Sequence, residues 1–173
     1  MAPSSPQATI ITCALAFAGV ILGLNYSNFL PHKVMTDNLG KQGKFPVDVI
    51  ILGGSHAGLS AAATLYRHQH TMIIFDNKNP RNLWRTGTRA TSGWEGQDPE
   101  KLREKSRKEI HATGFASLMH KSIVSITKTN DSLFLATDTE GESWYGRKLL
   151  LAMGAEFIFP EIPGYVENFP NKM

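Results

Sequence analysis

The sequence predicts an α/β domain. Its core is a parallel sheet with helices, extended by a three-stranded antiparallel meander and preceded by an N-terminal hydrophobic helix. Three observations carry this expectation. A strand–turn–helix–strand unit runs from Val47 to Phe75. A helix start at Asp98-Pro99-Glu100 is followed by three short strand-like runs and then another apolar one. Ahead of both, Ala8 to Leu24 is almost continuously apolar, and no charged side chain precedes Lys33.

Val47-Asp48-Val49-Ile50-Ile51-Leu52 is rich in Val and Ile, which suits a parallel strand covered on both faces. Gly53 and Gly54 then allow a sharp turn. Gly58 to His70 reads as a helix with Leu59, Ala62, Ala63 and Tyr66 on one stripe. A helix opening at such a turn offers free N–H groups and a positive dipole end to a phosphate. Thr71 to Phe75 forms the second strand. Asp76 ends it, roughly 20 residues beyond the turn, where an acid can meet a ribose hydroxyl. The dinucleotide fingerprint Gly-x-Gly-x-x-Gly is met at Gly53 and Gly58, while Ser55 holds its second glycine position. The alternative is a nucleotide-free βαβ unit with a tight turn.

The run from Gly53-Gly54-Ser55-His56-Ala57-Gly58 through Phe75-Asp76 and Pro80-Arg81-Asn82 resembles a known family. It is similar to the FAD-binding start of the thioredoxin-reductase-like pyridine nucleotide-disulfide oxidoreductases. The wording matches the fungal branch, which includes dithiol oxidases of secondary metabolism, and the likeness covers about Phe45 to the end. It implies a Rossmann-like FAD-binding domain, with FAD on the Gly53–Gly58 turn and the adenosine ribose on Asp76. It further implies a second contact at Leu149-Leu150-Leu151-Ala152-Met153-Gly154-Ala155, where the usual Ala-Thr-Gly is Ala-Met-Gly. Phe159-Pro160-Glu161-Ile162-Pro163-Gly164-Tyr165 also follows the fungal pattern. The candidate cofactor contacts are Gly53, Gly54, Ser55, His56, Ala57 and Gly58 on the turn, Asp76, Asn77 and Arg81 after the second strand, and Ala152 and Gly154.

The resemblance implies an FAD-dependent oxidoreductase working on dithiol/disulfide or NAD(P)H-linked chemistry. A complete relative would add a second glycine fingerprint for NADPH and a Cys-x-x-Cys pair beside the flavin. Neither occurs here, so the chain is expected to be incomplete. The alternative is a truncated, non-catalytic nucleotide-binding module tethered to a membrane. Plain NAD binding is a third reading, disfavoured because the meander and the Ala-Met-Gly strand suit FAD proteins better. A homodimer stays open.

The 173 residues, 42% of them hydrophobic, suffice for one modest domain with a core. The formal charge is +3, yet from Phe45 onward 15 Lys/Arg stand against 14 Asp/Glu. The excess sits on Lys33, Lys41 and Lys44, which is no basic groove, so nucleic-acid binding is excluded. Cys13 is the only cysteine, which rules out an intrachain disulfide.

Residues 1–31 read as a hydrophobic anchor or signal segment, 32–44 as a linker, and 45–173 as a partial FAD/NAD(P)-binding domain. The apolar run at 8–24 fits an uncleaved membrane anchor, and the lysines after it would keep the domain cytosolic. A cleaved signal leading to the secretory pathway is the alternative. After Asp76, the stretch to Gly96 lacks periodicity. Arg81, Arg85 and Arg89 there could meet phosphates or simply be solvated, and Trp84 and Trp94 are expected as core anchors. In the next helix Leu102, Ser106, Glu109 and Ile110 form a thin stripe, the charged face is expected to be solvated, and Gly114 closes it. Ser122–Lys128, Leu133–Thr137 and Ser143–Tyr145 are the expected meander, followed by Lys148–Met153 as a separate buried strand. His68 and His70 lie two apart on a helix and cannot share a metal. His32, His111 and His120 have no partner at ligand spacing. No catalytic set and no metal motif emerges.

Overall fold

The structure is a computed structural model that describes Gly40, residues 45–130 and residues 132–169. The parallel core forms where the β-branched runs predict it. Strand β1 (Val47–Leu52) leads through helix α1 (His56–Leu65) and a 3-10 turn at Tyr66–His68 to β2 (Met72–Phe75). The predicted helix start at Gly58 is two residues late, because His56 and Ala57 already have helical geometry. The helix also stops before His70, since Gln69 takes a left-handed conformation at φ 60°. Asp48 ties the two strand openings together. Its Oδ2 accepts from both the N–H and the hydroxyl of Thr71, each at 2.9 Å.

Helix α2 (Pro99–Ala112) starts as expected, with Asp98 accepting from Glu100 N–H at 2.8 Å and Pro99 in the first turn. It ends at Gly114, where φ is +74°. A strand not foreseen from the sequence follows, β3 (Ala116–Met119), and it adds to the parallel sheet beside β2. Then come β4 (Ile123–Lys128), β5 (Phe134–Asp138) and β6 (Ser143–Leu151). The sheet order is β3-β2-β1-β6-β5-β4. A one-turn helix, α3 (Tyr165–Asn168), closes the described chain.

Two expected strands prove to be one. Ser143–Tyr145 and the Lys148–Leu151 part of the expected Lys148–Met153 belong to the single nine-residue β6, which ends two residues earlier than expected. Its first half pairs antiparallel with β5 and its second half parallel with β1. Gly146 is the shared position, paired with Phe134 on one side and Val47 on the other. Only glycine fits there, since a Cβ would stand 2.6 Å from Ile50 Cγ1.

Strand alternation divides the core between two faces. Val49, Ile51, Met72 and Ile74 pack with Leu59, Ala62 and Ile110 of the helices. Ile50, Leu52, Ile73 and Phe75 pack with Ala136 and Trp144 of the meander, and Phe75 meets Trp144 edge-on at 5.0 Å. The core tryptophan is therefore Trp144. Trp84 is 42% exposed, and Trp94 is half-buried under Lys105, so neither is the core anchor expected from its size.

The expected N-terminal helix at 8–24 lies outside the described residues, as does most of the 32–44 linker. Gly40 of that linker is buried, and its carbonyl accepts from Tyr145 N–H at 2.8 Å, so the linker docks on β6 at this point. Among the described residues no helix is long and apolar enough to cross a membrane.

Candidate nucleotide site

The register of the sheet builds the site. Leu52 pairs with Phe75 and with Leu151, so β1, β2 and β6 end level with one another. The next residues, Gly53, Asp76 and Ala152, therefore emerge at one edge. Backbone bonds fix each of them: Gly53 N–H to Phe75 O at 2.8 Å, Asp76 N–H to Met119 O at 2.9 Å, and Ala152 N–H to Leu52 O at 2.8 Å.

The glycines of the turn are demanded by contacts. Gly53 has φ +112°, and a Cβ there would lie 2.2 Å from Ala152 O. At Gly54 a Cβ would lie 2.8 Å from Asp76 Oδ2, so the turn passes directly over the acid. Ser55 caps α1 without spending its hydroxyl on the helix, and Leu59 N–H is the first to bond back, to Ser55 O at 2.9 Å. The first turn of α1 carries no acidic residue, so the positive end of its dipole is uncompensated. Burial lowers the His56 pKa; Arg103 adds to the lowering and Glu100 opposes it. Its surroundings therefore favour the neutral imidazole.

These elements surround a cavity of about 380 Å³. Of the candidate contacts, Gly53, Gly54, Ser55, His56 and Ala57 line it, together with Asp76, Asn77, Arg81, Ala152 and Gly154. Gly58 does not. It is buried beneath the turn, its place for a Cβ filled by the Gly53 carbonyl. Arg85 is exposed away from the cavity, and Arg89 pairs with Glu95 at 3.4 Å.

The charged face of α2 is not simply solvated. Arg103 is 2% exposed and Arg107 half-buried, and both line the cavity. Arg107 Nη2 donates to Asp76 Oδ2 at 2.9 Å, and its Nη1 donates to Glu100 Oε1 at 2.7 Å. Glu100 Oε2 accepts from Arg103 Nε at 2.7 Å, and Arg103 Nη1 donates to Asn82 Oδ1 at 2.7 Å. Desolvation pushes the Glu100 carboxyl up, but the hydrogen bonds from Arg103 and Arg107 outweigh it and hold it below the ordinary range. The spacing Glu100, Arg103, Arg107 puts all three on one helical face, so the sequence contained this signal.

A second charged cluster lies on the meander. Asp138, Glu140 and Glu142 have a metal-like spacing, but Lys121 Nζ donates to all three. An ammonium already fills the centre.

Residues 47–172 match the family described as pyridine nucleotide-disulphide oxidoreductase. The chain belongs to that family. Among curated relatives, the thioredoxin reductase aclD of Aspergillus oryzae is 36% identical over 128 residues, covering 73% of this chain and 40% of the relative. The thioredoxin reductase tcpT of Claviceps purpurea is 36% identical over 123 residues, covering 70% and 38%. A solved oxidoreductase of Agrobacterium tumefaciens superposes with a TM-score of 0.66 at 29% identity, over 71% of this chain and 41% of its own. The chain thus spans about two fifths of the length of these relatives, 40% for the first of them. Family membership and a Rossmann-like fold agree with the resemblance read from Gly53–Gly58 and Asp76.

Proposed function

We propose that this chain binds the ADP half of FAD and forms the nucleotide-binding part of a thioredoxin-reductase-like flavoprotein oxidoreductase. The observation that carries the reading is the Gly54–Asp76 contact beneath a cavity opened by the α1 N-terminus. The missing Cβ atoms at Gly53, Gly54 and Gly58 let the turn pack directly on Ala152, Asp76 and its own carbonyl, which holds the α1 N-terminus at the cavity. The N–H groups opening α1 and the Ser55 hydroxyl would hold the pyrophosphate, with Arg81 at the cavity wall. Asp76 would accept from the ribose hydroxyls. Bound flavin supplies two-electron transfer between a nicotinamide or dithiol and its acceptor. The chain's own residues would bind and orient the adenosine end; His56, whose pKa burial lowers, lines the same cavity.

A second reading, a nucleotide-binding module without turnover of its own, is favoured by a different observation. Met153 is 65% exposed and Cys13 is the sole cysteine. Titration of the purified chain with FAD, read by quenching of flavin fluorescence and followed by displacement with ADP, tests the binding claim common to both. Saturable binding reversed by ADP is expected. No FAD or ADP binding at millimolar ligand would remove it.

A further inference from the structure

We propose that Arg107 is a positioning residue which, by fixing the Asp76 carboxylate, sets a preference for a ribose bearing both its hydroxyls. This rests on the reading that the ADP half of a nucleotide binds here. An ionised carboxylate offers about four acceptor sites, two on each oxygen. In Asp76 one is taken on Oδ1 by Lys78 N–H at 3.0 Å and one on Oδ2 by Arg107 Nη2 at 2.9 Å. The remaining sites number two, as do the vicinal hydroxyl donors of a ribose.

Arg107 is itself held. Glu100 anchors its other terminal nitrogen, Arg103 anchors Glu100, and Asn82 anchors Arg103. This chain of bonds runs from the loop after β2, through α2, to the tip of β2. Its two arginines and two acids balance, so it orients Asp76 without adding net charge. One further detail points to orientation as its purpose. Arg107 Nε is buried with no hydrogen-bond partner, a costly condition in a native structure. The guanidinium is placed to serve Asp76 and Glu100 together through its two terminal nitrogens, and its Nε–H is left unmet. A lysine, as a single point charge, cannot bridge both acids with fixed geometry.

The preference is measurable without turnover. Calorimetric titrations of the full chain with ADP, 2′-deoxy-ADP and ADP 2′-phosphate give affinity ratios. Wild type is expected to favour ADP over 2′-deoxy-ADP by about tenfold, the worth of one hydrogen bond to a charged acceptor. Arg107→Met should bring that ratio close to one, and Arg107→Lys should give an intermediate value. ADP 2′-phosphate should gain on ADP in neither variant, since both lose the guanidinium. A purely structural role would weaken ADP and 2′-deoxy-ADP alike and leave the ratio unchanged, which overturns the proposal. If Arg107→Met does not fold, Arg107→Lys decides, and a wild-type ratio there overturns it equally. Failure of wild type to bind ADP is a separate result that removes the nucleotide reading first.

Discussion

Gly58 lies so close beneath the Gly53 carbonyl that a Cβ on it would stand 1.9 Å from that oxygen and 3.2 Å from Ile51 Cγ2. The two glycines hold one another. Gly53 is held in turn by its N–H bond to Phe75 O at 2.8 Å and by Ala152 O, which lies 2.2 Å from where a Cβ on Gly53 would stand. Strand β1, helix α1 and the end of β6 therefore meet with no slack. Gly58→Ala should lower the unfolding free energy by about 1–3 kcal/mol through overpacking, and Gly58→Val by more. Urea denaturation measures this, and ADP titration should show binding lost in parallel. A wild-type midpoint for Gly58→Val would mean that the turn yields freely.

Asp76 makes a different prediction, because its partners are polar. Asp76→Ala removes the proposed ribose acceptor, so ADP affinity should fall by about 10- to 150-fold, at about 1.5–3 kcal/mol for a bond to a charged group. It also strands Arg107 Nη2 beside an Nε that already lacks a partner. Stability should thus drop by about 1–3 kcal/mol even without nucleotide. Calorimetry and denaturation together separate the two losses. Equal ADP binding by mutant and wild type would take Asp76 out of the site.

The parts legible in the sequence were those governed by local chemistry. Val47–Leu52 and Met72–Phe75 announce themselves by β-branched content, and Asp98-Pro99 by cap chemistry. The glycine turn and Asp76 were legible because the spacing itself encodes a level sheet edge. Ala116–Met119 was missed because a four-residue edge strand without a β-branched side chain takes its identity from pairing with Met72–Phe75. The join of β6 was missed because Gly146 reads as a break, while its contact with Ile50 makes it a crossing point. Arg103 and Arg107 read as solvated because they lie off the thin stripe of Leu102, Ser106, Glu109 and Ile110 on α2. What buries them is the loop holding Asn82 and the tip of β2, contacts that no local window contains.

Acid should weaken the fold in two stages. The folded pKa of His56 lies below its ordinary 6.5, so the unfolded chain takes up the proton first. Stability therefore begins to fall as pH drops through that value. The Glu100 carboxyl is likewise held below its ordinary 4.5. At Asp138, desolvation raises the pKa, but the hydrogen bonds from Lys121 and from Glu142 and Glu140 N–H more than reverse it. Both carboxylates contribute above the ordinary carboxylate range and lose that contribution as pH falls through their folded values. Hydrogen bonds to the Asp138, Glu140 and Glu142 carboxylates raise the Lys121 pKa, so its contribution holds up to its ordinary 10.5 and is lost only above it. Melting curves across pH should show a shallow step removed by His56→Gln and a steeper one reduced by Glu100→Gln. A flat acid limb in wild type contradicts the assignment.

The remaining prediction separates binding from turnover in this chain. In the proposed binding mode the cavity-lining groups Gly53–Ala57, Asp76 and Arg81 would serve the adenosine and pyrophosphate end. Beyond β6, Met153 is 65% exposed and Ile158 is 96% exposed, so the described residues offer little cover for a flavin ring. Cys13, as the only cysteine, cannot form an internal dithiol to pass electrons onward. A flavin held by its nucleotide half alone, once reduced, reacts with dissolved oxygen rather than with a chosen disulfide. ADP should therefore compete with FAD nearly on equal terms, since the ring adds few contacts. NADPH consumption in the presence of a disulfide should match that of the same concentration of free FAD. Saturable NADPH-driven disulfide reduction above that background would show that this chain completes the catalytic cycle itself, and would replace the module reading with the enzyme one.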